Sequence, residues 1–185
     1  MSKPAAEYFG RLPGTPFPEM TGGVILWDKD STLADTLHRG YMVARIATGE
    51  LTWTDYSMAA ADDGIIEGPV RLLRLLRNAG WRNIIVSGAN TEAELPIRKW
   101  ATRHSVHFDG LVLRATGNHQ GNGPYKVAVI AELRAMGLEP VLYVEDWAEV
   151  ATQIREETGV PVLVVNPCYP PEATAEVKEL GYPGT

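Results

Sequence analysis

Two aspartates follow a run of apolar residues in the stretch VILWDKDSTLADT, which spans residues 24–36. The apolar run predicts a buried β-strand, and Asp28 would stand at its carboxyl end, where parallel sheets bind ligands. Asp30 follows two residues later in a hydroxyl-rich turn. Three interpretations fit this pair: capping of the next helix or exposure to solvent, a passive metal site, or a nucleophile and a general acid/base that share Mg²⁺.

The nucleophile interpretation requires further groups. A carboxylate with an ordinary pKa of about 4 is ionised at neutral pH and needs no activating base, but a phosphate dianion repels it. Mg²⁺ would offset that repulsion, since it prefers hard oxygen ligands. The second carboxylate would protonate the leaving oxygen and later activate water. Donors for the phosphoryl oxygens and another acidic metal ligand are therefore also expected.

Groups of these types follow in chain order, close to the ends of later predicted strands. The segment NIIVSG ends in Ser87 and Gly88, which offer a hydroxyl and loop amides to a phosphoryl oxygen. Lys126 starts a predicted helix, where free amides and an ammonium both favour an anion. The segment VLYVED ends in Glu145 and Asp146, which are hard metal ligands. This order favours the nucleophile interpretation.

Strand and helix patterns alternate between these groups. Apolar runs without polar alternation predict strands that are covered on both faces, at residues 23–27, 83–87, 110–114, 141–145 and 161–166. Helical spacing of apolar residues predicts helices within residues 69–80, 91–105, 125–137 and 147–159. The expected fold class is α/β, an open Rossmann-like parallel sheet with helices on both faces.

Length and composition predict one domain. The 185-residue chain divides into a Pro- and Gly-rich irregular arm at 1–21, a domain at 22–170 with a short insert at about 37–67, and a C-terminal segment at 171–185. A net charge of −6 argues against a broad nucleic-acid-coating face but allows a grip on one terminal phosphate. The single cysteine excludes a disulfide framework. The lack of a signal-peptide or membrane-spanning run predicts a cytoplasmic protein without a membrane partner.

Over residues 23–166 the motifs resemble those of the haloacid dehalogenase-like superfamily of phosphohydrolases. The first motif of that superfamily, Asp-x-Asp-Gly-Thr, matches DKDST at 28–32. Ser31 replaces the usual glycine, which is tolerable if the backbone there avoids a positive φ. The second, third and fourth motifs match Ser87, Lys126 and the Glu145–Asp146 pair.

The resemblance implies a role for each matched residue. Asp28 is the implied nucleophile, Asp30 the acid/base, and Mg²⁺ the cofactor. The implied metal ligands are Asp28, Asp30 through its carbonyl oxygen, and Asp146, and the implied phosphate-binding groups are Ser87, Gly88 and Lys126. Glu145 stands where the family commonly has aspartate, so we expect it to orient metal-bound water. Glu149, one turn further on, is an alternative ligand.

Within the superfamily, the sequence is most similar to the 3′-phosphatase domain of phage polynucleotide kinases. The similar segments are DTLHR at 35–39, residues 52–88, and FDGLVLRATGNHQGNGPYK at 108–126. This resemblance implies that Arg114 helps to bind the substrate phosphate, whereas Asn90 stands where an arginine often follows Ser-Gly. Because G-x-x-x-x-G-K-[ST] does not occur, a stand-alone phosphatase domain is expected.

The short insert predicts an open site. It contains one predicted helix, at 37–49, and is too short to fold as an independent cap. An open site suits a nucleic-acid end or a phosphoprotein, and a neighbouring subunit of a homo-oligomer could supply a lid for a small substrate. Candidate substrate contacts are His38, Trp53, Tyr56 and His119, with packing as the alternative for the two aromatic residues.

The expected substrate is therefore a 3′-phosphate on a polynucleotide end. Three alternatives stay open at the level of sequence. One is a mononucleotide or another small phosphomonoester as the substrate. The second is a non-catalytic binding or scaffold protein that has the same fold. The third is transfer of the phosphoryl group to an acceptor other than water, which would use the same residues.

Overall fold

A five-stranded parallel sheet forms the centre of the protein. The computed structural model describes residues 22–165. The strands are β1 (Gly22–Trp27), β2 (Arg82–Asn90), β3 (Gly110–Arg114), β4 (Leu138–Glu145) and β5 (Val162–Val164), in the order β3-β2-β1-β4-β5. The predicted arm at 1–21, the predicted segment at 171–185 and the last residue of the predicted fifth strand lie outside the described residues.

Six α-helices accompany the sheet within the described residues. They are α1 (Tyr41–Ala47), α2 (Trp53–Met58), α3 (Glu67–Asn78), α4 (Glu94–Arg103), α5 (Asn122–Ala135) and α6 (Ala148–Thr158). The four helices predicted after the insert are all present. Helix α5 begins three residues before the predicted start, so Lys126 lies one turn inside the helix and not at its first residue. None of the helices in the described range is long and apolar enough to cross a membrane.

The side chains of β1 alternate between two cores, one on each face of the sheet. Ile25 and Trp27 pack with buried residues of α3 and α4. Val24 and Leu26 pack with buried residues of α5 and α6 on the opposite face. Successive strand residues point to opposite faces, so an uninterrupted apolar run satisfies both cores. The predicted α/β sheet with helices on both faces is therefore confirmed.

The insert contains more structure than the single predicted helix at 37–49. A turn of 3₁₀-helix at Leu37–Arg39 precedes α1, and α2 is followed by another such turn at Ala59–Asp62. Helix α2 has a capping box, in which Thr52 and Asp55 each accept a hydrogen bond from the other's backbone amide. This Thr-x-x-Asp spacing was the sequence signal for the second helix.

Candidate active site

Strands β1 and β4 bring three carboxylates together at the carboxyl edge of the sheet. Trp27 pairs with Val144 in the β1–β4 ladder, and the Asp28 amide donates to the Val144 carbonyl at 2.9 Å. The chain returns from β3 to β4 across β1, so this edge is the topological switch point of the sheet. Carboxylate oxygens of Asp28, Glu145 and Asp146 lie within 4.8 Å of one another. The fold therefore brings carboxylates of the first and fourth motifs together.

Lys126 places its ammonium between two of these acids. Its Nζ donates to Asp28 Oδ1 at 2.5 Å and to Glu145 Oε2 at 2.7 Å, and all three side chains are buried. Burial lowers the pKa of Lys126, but the Asp28 and Glu145 carboxylates outweigh burial and hold that pKa well above its ordinary value. The lysine is therefore charged and is available to stabilise further negative charge.

The acid cluster has three carboxyl groups, and Lys126 is the cation that pairs with it among the described residues. Burial raises the pKa of Asp28 well above its ordinary value, against the opposing effect of Lys126. Burial, together with the Glu145 charge, raises the pKa of Asp146 to about 7. Three clustered carboxylate oxygens beside one ammonium form a hard donor set, which is the type that Mg²⁺ prefers. The residues present therefore fit the predicted metal.

The two acids at the end of β4 differ in how their oxygens are engaged. Both oxygens of Glu145 accept hydrogen bonds, one from Lys126 Nζ and the other from the Trp147 amide at 3.3 Å. Asp146 Oδ1 accepts from Thr32 Oγ1 at 2.9 Å. Glu149 is exposed in the first turn of α6 and does not belong to the acid cluster. This arrangement favours Asp146 over Glu149 as the fourth-motif metal ligand.

The Asp30 carboxylate lies apart from the acid cluster and is bound to two cations. Its Oδ1 accepts from Lys29 Nζ at 2.8 Å and from Arg39 Nη2 at 2.7 Å. Burial raises the pKa of Asp30, but Arg39 and Lys29 outweigh burial and hold that pKa below its ordinary value. Asp30 is consequently ionised at neutral pH in this arrangement, which is the form that accepts a proton from water.

Sequence reasoning assigned no role to the cations beside Asp30 or to Asp63, the residue that holds them. Asp63 Oδ2 accepts from Lys29 Nζ at 2.5 Å, and the Arg39 guanidinium binds both oxygens of Asp63 at 2.7 Å. Arg39 also stacks on the Tyr56 ring, with 4.0 Å from its Cζ to the ring centroid. These partners are 17 to 34 residues apart in the chain, and no local pattern signals them.

Three of the four predicted phosphate-binding groups lie near the carboxyl ends of β2 and β3, since Ser87 and Gly88 belong to the last four residues of β2 and Arg114 ends β3. Ser87 is buried, and its Oγ accepts from the Ala89 amide at 3.2 Å. A Cβ on Gly88 would lie 2.8 Å from Asn122 Oδ1 and 3.3 Å from Arg114 Nη2, so a larger residue here would displace these two side chains. Arg114 donates to Asn122 Oδ1 at 2.5 Å and to the Gln120 carbonyl, which holds its guanidinium beside Gly88.

Asn90 is the last residue of β2, and Trp53 is the first residue of helix α2 in the insert. Asn90 Nδ2 donates to Thr54 Oγ1 at 2.7 Å, so the residue in the position of the family's arginine ties α2 to β2. Trp53 is 60% exposed, whereas Tyr56 is 7% exposed beneath Arg39. Packing is therefore the role that the geometry supports for Tyr56, and Trp53 keeps an accessible ring.

The two candidate histidines have different surroundings. His38 is 40% exposed in its side chain, and its Nε2 lies 2.9 Å from Asp63 Oδ1. His119 is exposed in the loop between β3 and α5. Neither ring is a member of the acid cluster.

The backbone at Ser31 does not meet the condition under which serine would be tolerable in place of the usual glycine. Its φ is +64°, so the backbone adopts the left-handed conformation. A non-glycine residue is strained in that conformation. Its Oγ lies 3.3 Å from Thr36 Oγ1, a contact that glycine could not make.

Comparison with known proteins identifies the fold. No protein-family model matches the chain, and no curated protein matches it. A chain of the Pnkp1/Rnl/Hen1 RNA repair complex matches with a TM-score of 0.65 and 18% identity, over 78% of this chain and 42% of that chain. A haloacid dehalogenase-like hydrolase from Streptococcus pneumoniae matches with a TM-score of 0.55 and 15% identity, over 86% of this chain and 91% of that chain. The chain has the haloacid dehalogenase-like fold.

A further match with this fold carries an oxyanion. The class C acid phosphatase from Bacillus anthracis, with tungstate bound, matches with a TM-score of 0.54 and 13% identity, over 93% of this chain and 82% of that chain. The chain spans less than half of the repair-complex chain but most of both hydrolases. The family resemblance read from the motifs is confirmed at the level of the haloacid dehalogenase-like fold.

Proposed function

We propose that the protein is a Mg²⁺-dependent phosphomonoester hydrolase that works through an aspartyl-phosphate on Asp28. One observation carries the proposal: the buried Asp28 carboxylate lies at the switch point of a haloacid dehalogenase-like fold, within 4.8 Å of Glu145 and Asp146 and hydrogen-bonded to Lys126. A cytoplasmic location is part of the same proposal.

Each residue of the site has a role in this chemistry. Asp28 attacks phosphorus, and Asp30 protonates the leaving oxygen and then takes a proton from the water that releases phosphate. Bound Mg²⁺, held by Asp28, Asp146 and the Asp30 carbonyl, would offset the charge of the phosphoryl group. The groups proposed to bind the phosphoryl oxygens are Ser87, Gly88, Lys126 and Arg114. Glu145 holds Lys126 in place.

We infer that the substrate is a polynucleotide end that carries a 3′-phosphate. Three observations support this substrate. The insert is short and leaves the site without a folded cap, Trp53 offers an exposed ring on which a base can stack, and a chain of an RNA repair complex shares the fold. The net charge of −6 fits recognition of one end and not of an extended backbone.

A comparison of three substrates tests the proposal. Phosphate release is measured with Mg²⁺ from a 3′-phosphorylated oligonucleotide, a 3′-mononucleotide and a 5′-mononucleotide. The controls are Asp28→Asn, which removes the nucleophile, and Asp62→Asn, which alters an exposed acid of the insert. We expect the oligonucleotide to be preferred and Asp28→Asn to abolish release. Preference for a mononucleotide would instead indicate a nucleotide phosphatase, and no release from any substrate would favour a non-catalytic binding protein.

A further inference from the structure

Three charged side chains are buried together where the insert meets β1. The side chains of Lys29, Arg39 and Asp63 have exposed fractions of 0%, 1% and 0%. An unpaired charge in such a position costs several kcal/mol, so each group needs an opposite partner. Asp63 is the carboxylate that both cations share.

Asp63 forms a bidentate pair with the Arg39 guanidinium. Nε donates to Asp63 Oδ1 and Nη2 to Asp63 Oδ2, both at 2.7 Å. The remaining contact with Asp30 is single, from Nη2 to Asp30 Oδ1 at 2.7 Å, and Lys29 binds that same oxygen. Asp30 Oδ2 has no hydrogen-bond partner among residues 22–165.

We propose that Asp63 is a positioning residue that keeps the Arg39 guanidinium from binding both oxygens of Asp30, so that Asp30 Oδ2 stays available for proton transfer. The inference rests on the proposed function. In that reaction Oδ2 first takes up the proton of the bound phosphomonoester monoanion. It gives this proton to the leaving oxygen as Asp28 bonds to phosphorus and the P–O bond breaks, and it later takes a proton from the water that attacks phosphorus and frees Asp28. Oδ1 stays anchored throughout by the two cations.

Removal of the Asp63 carboxylate should redirect Arg39. Asparagine has no charge and offers one acceptor oxygen where aspartate offers two, so it cannot accept from Nε and Nη2 at separate oxygens and turns an amide donor toward one of them. The guanidinium already contacts Asp30, and a two-pronged pairing with a carboxylate is the geometry that arginine prefers. We expect the guanidinium to close over both Asp30 oxygens in this variant, which blocks Oδ2.

The transfer of the proton from Asp30 to the leaving oxygen can be measured with two substrates of similar size whose leaving groups differ in basicity. Benzyl phosphate releases a strongly basic alkoxide that needs the proton, whereas p-nitrophenyl phosphate releases a weakly basic phenolate that does not. General acid catalysis contributes about 10²–10⁴-fold, so a blocked Oδ2 should lower the benzyl-to-nitrophenyl ratio of kcat/KM about tenfold or more. A purely structural defect would lower both activities by the same factor.

A set of variants distinguishes the loss of the Asp63 carboxylate from a general disturbance of this region. Asp63→Asn should lower the ratio, and the double variant Lys29→Gln/Asp63→Asn should also lower it while removing one buried charge of each sign, which favours folding. The exposed Asp62→Asn is the control, because it changes the neighbouring acid, keeps the Asp63 carboxylate and should leave the ratio within about twofold of wild type.

Two results would overturn the inference while the proposed function stands. One is wild-type hydrolysis of both substrates with an unchanged ratio in the folded double variant. The other is an equal loss of the ratio in the control Asp62→Asn. Failure of the wild-type protein to hydrolyse either substrate and the 3′-phosphorylated oligonucleotide would instead refute the proposed function itself.

Discussion

Replacement of Lys126 by methionine should destabilise the metal-free protein strongly and make it depend on Mg²⁺. Lys126 is the cation that pairs with both Asp28 and Glu145 among the described residues. Methionine has a similar length and flexibility, so it fills the space without the charge. Two buried carboxylates then lose their partner.

The size of the effect follows from the burial of the pair. Breaking a buried ion pair costs about 3–5 kcal/mol of the free energy of unfolding. We expect a loss near the lower end of this range, because the raised pKa of Asp28 lets that carboxyl take up a proton once the lysine is gone. For a chain of this length each kcal/mol shifts Tm by about 2–4 °C, so a loss of about 3 kcal/mol corresponds to about 6–12 °C. Mg²⁺ at a hundred times its Kd would raise the free energy of unfolding by about 2.7 kcal/mol.

Thermal unfolding followed by circular dichroism, in EDTA and in excess MgCl₂, measures both quantities. Lys126→Met should melt about 6–12 °C below wild type in EDTA and gain more from Mg²⁺ than wild type does. Lys99→Met, at an exposed position of α4, is the matched control and should melt like wild type. A Lys126→Met protein that melts with wild type in EDTA, or gains no more from Mg²⁺, would contradict the assigned ion pairs.

Three further perturbations test other parts of the site. Because the pKa of Asp146 is raised to about 7, protons compete with the metal for this carboxylate below that pH. The gain in Tm from Mg²⁺ should therefore grow from pH 5 to pH 8, and a pH-independent gain would exclude Asp146 as a ligand. Ser31→Gly should raise the free energy of unfolding by about 0.5–1 kcal/mol in denaturant titrations by relieving the positive φ, and a loss of stability would mean that the Thr36 contact outweighs the strain. Trp53→Ala should weaken binding of a 3′-phosphorylated oligonucleotide by about 1–3 kcal/mol, measured as an increase in KM, without affecting p-nitrophenyl phosphate. Trp81→Ala, at the opposite end of β2, is its control, and equal effects of the two substitutions would refute a stacking role.

The sequence predicts the sheet and its functional edge because both depend on local patterns. An apolar run that ends in Asp28, and another that ends in Glu145, give both the strands and the positions of their ends. Parallel pairing then brings these ends together without further information, as the 4.8 Å cluster shows. The helix α5 start was misjudged because Asn122 to Pro124 look like a loop by composition.

The network beside Asp30 could not be predicted in this way. Lys29 stands at a position where the family motif allows any residue, yet its side chain is completely buried. Its partner Asp63 is 34 residues away, at the end of an insert whose path depends on tertiary packing. Lysine and aspartate are ordinarily surface residues, so composition alone predicts exposure for both. Only the fold shows that they compensate each other.

The Arg39–Asp63 pair also fixes the geometry of the insert. Arg39 lies near its start and Asp63 near its end, and their ion pair closes the segment between them at the side of Asp30. The Tyr56 carbonyl accepts from Arg39 Nη1 at 3.0 Å, which ties α2 to the same guanidinium. Trp53 is one turn before Tyr56 and packs against its ring at 5.6 Å. Arg39 therefore contacts both Asp30, which is proposed to transfer the proton, and Tyr56, which packs against the Trp53 ring proposed to bind the substrate base. Substitution of Asp63 should consequently alter both oligonucleotide binding and proton transfer.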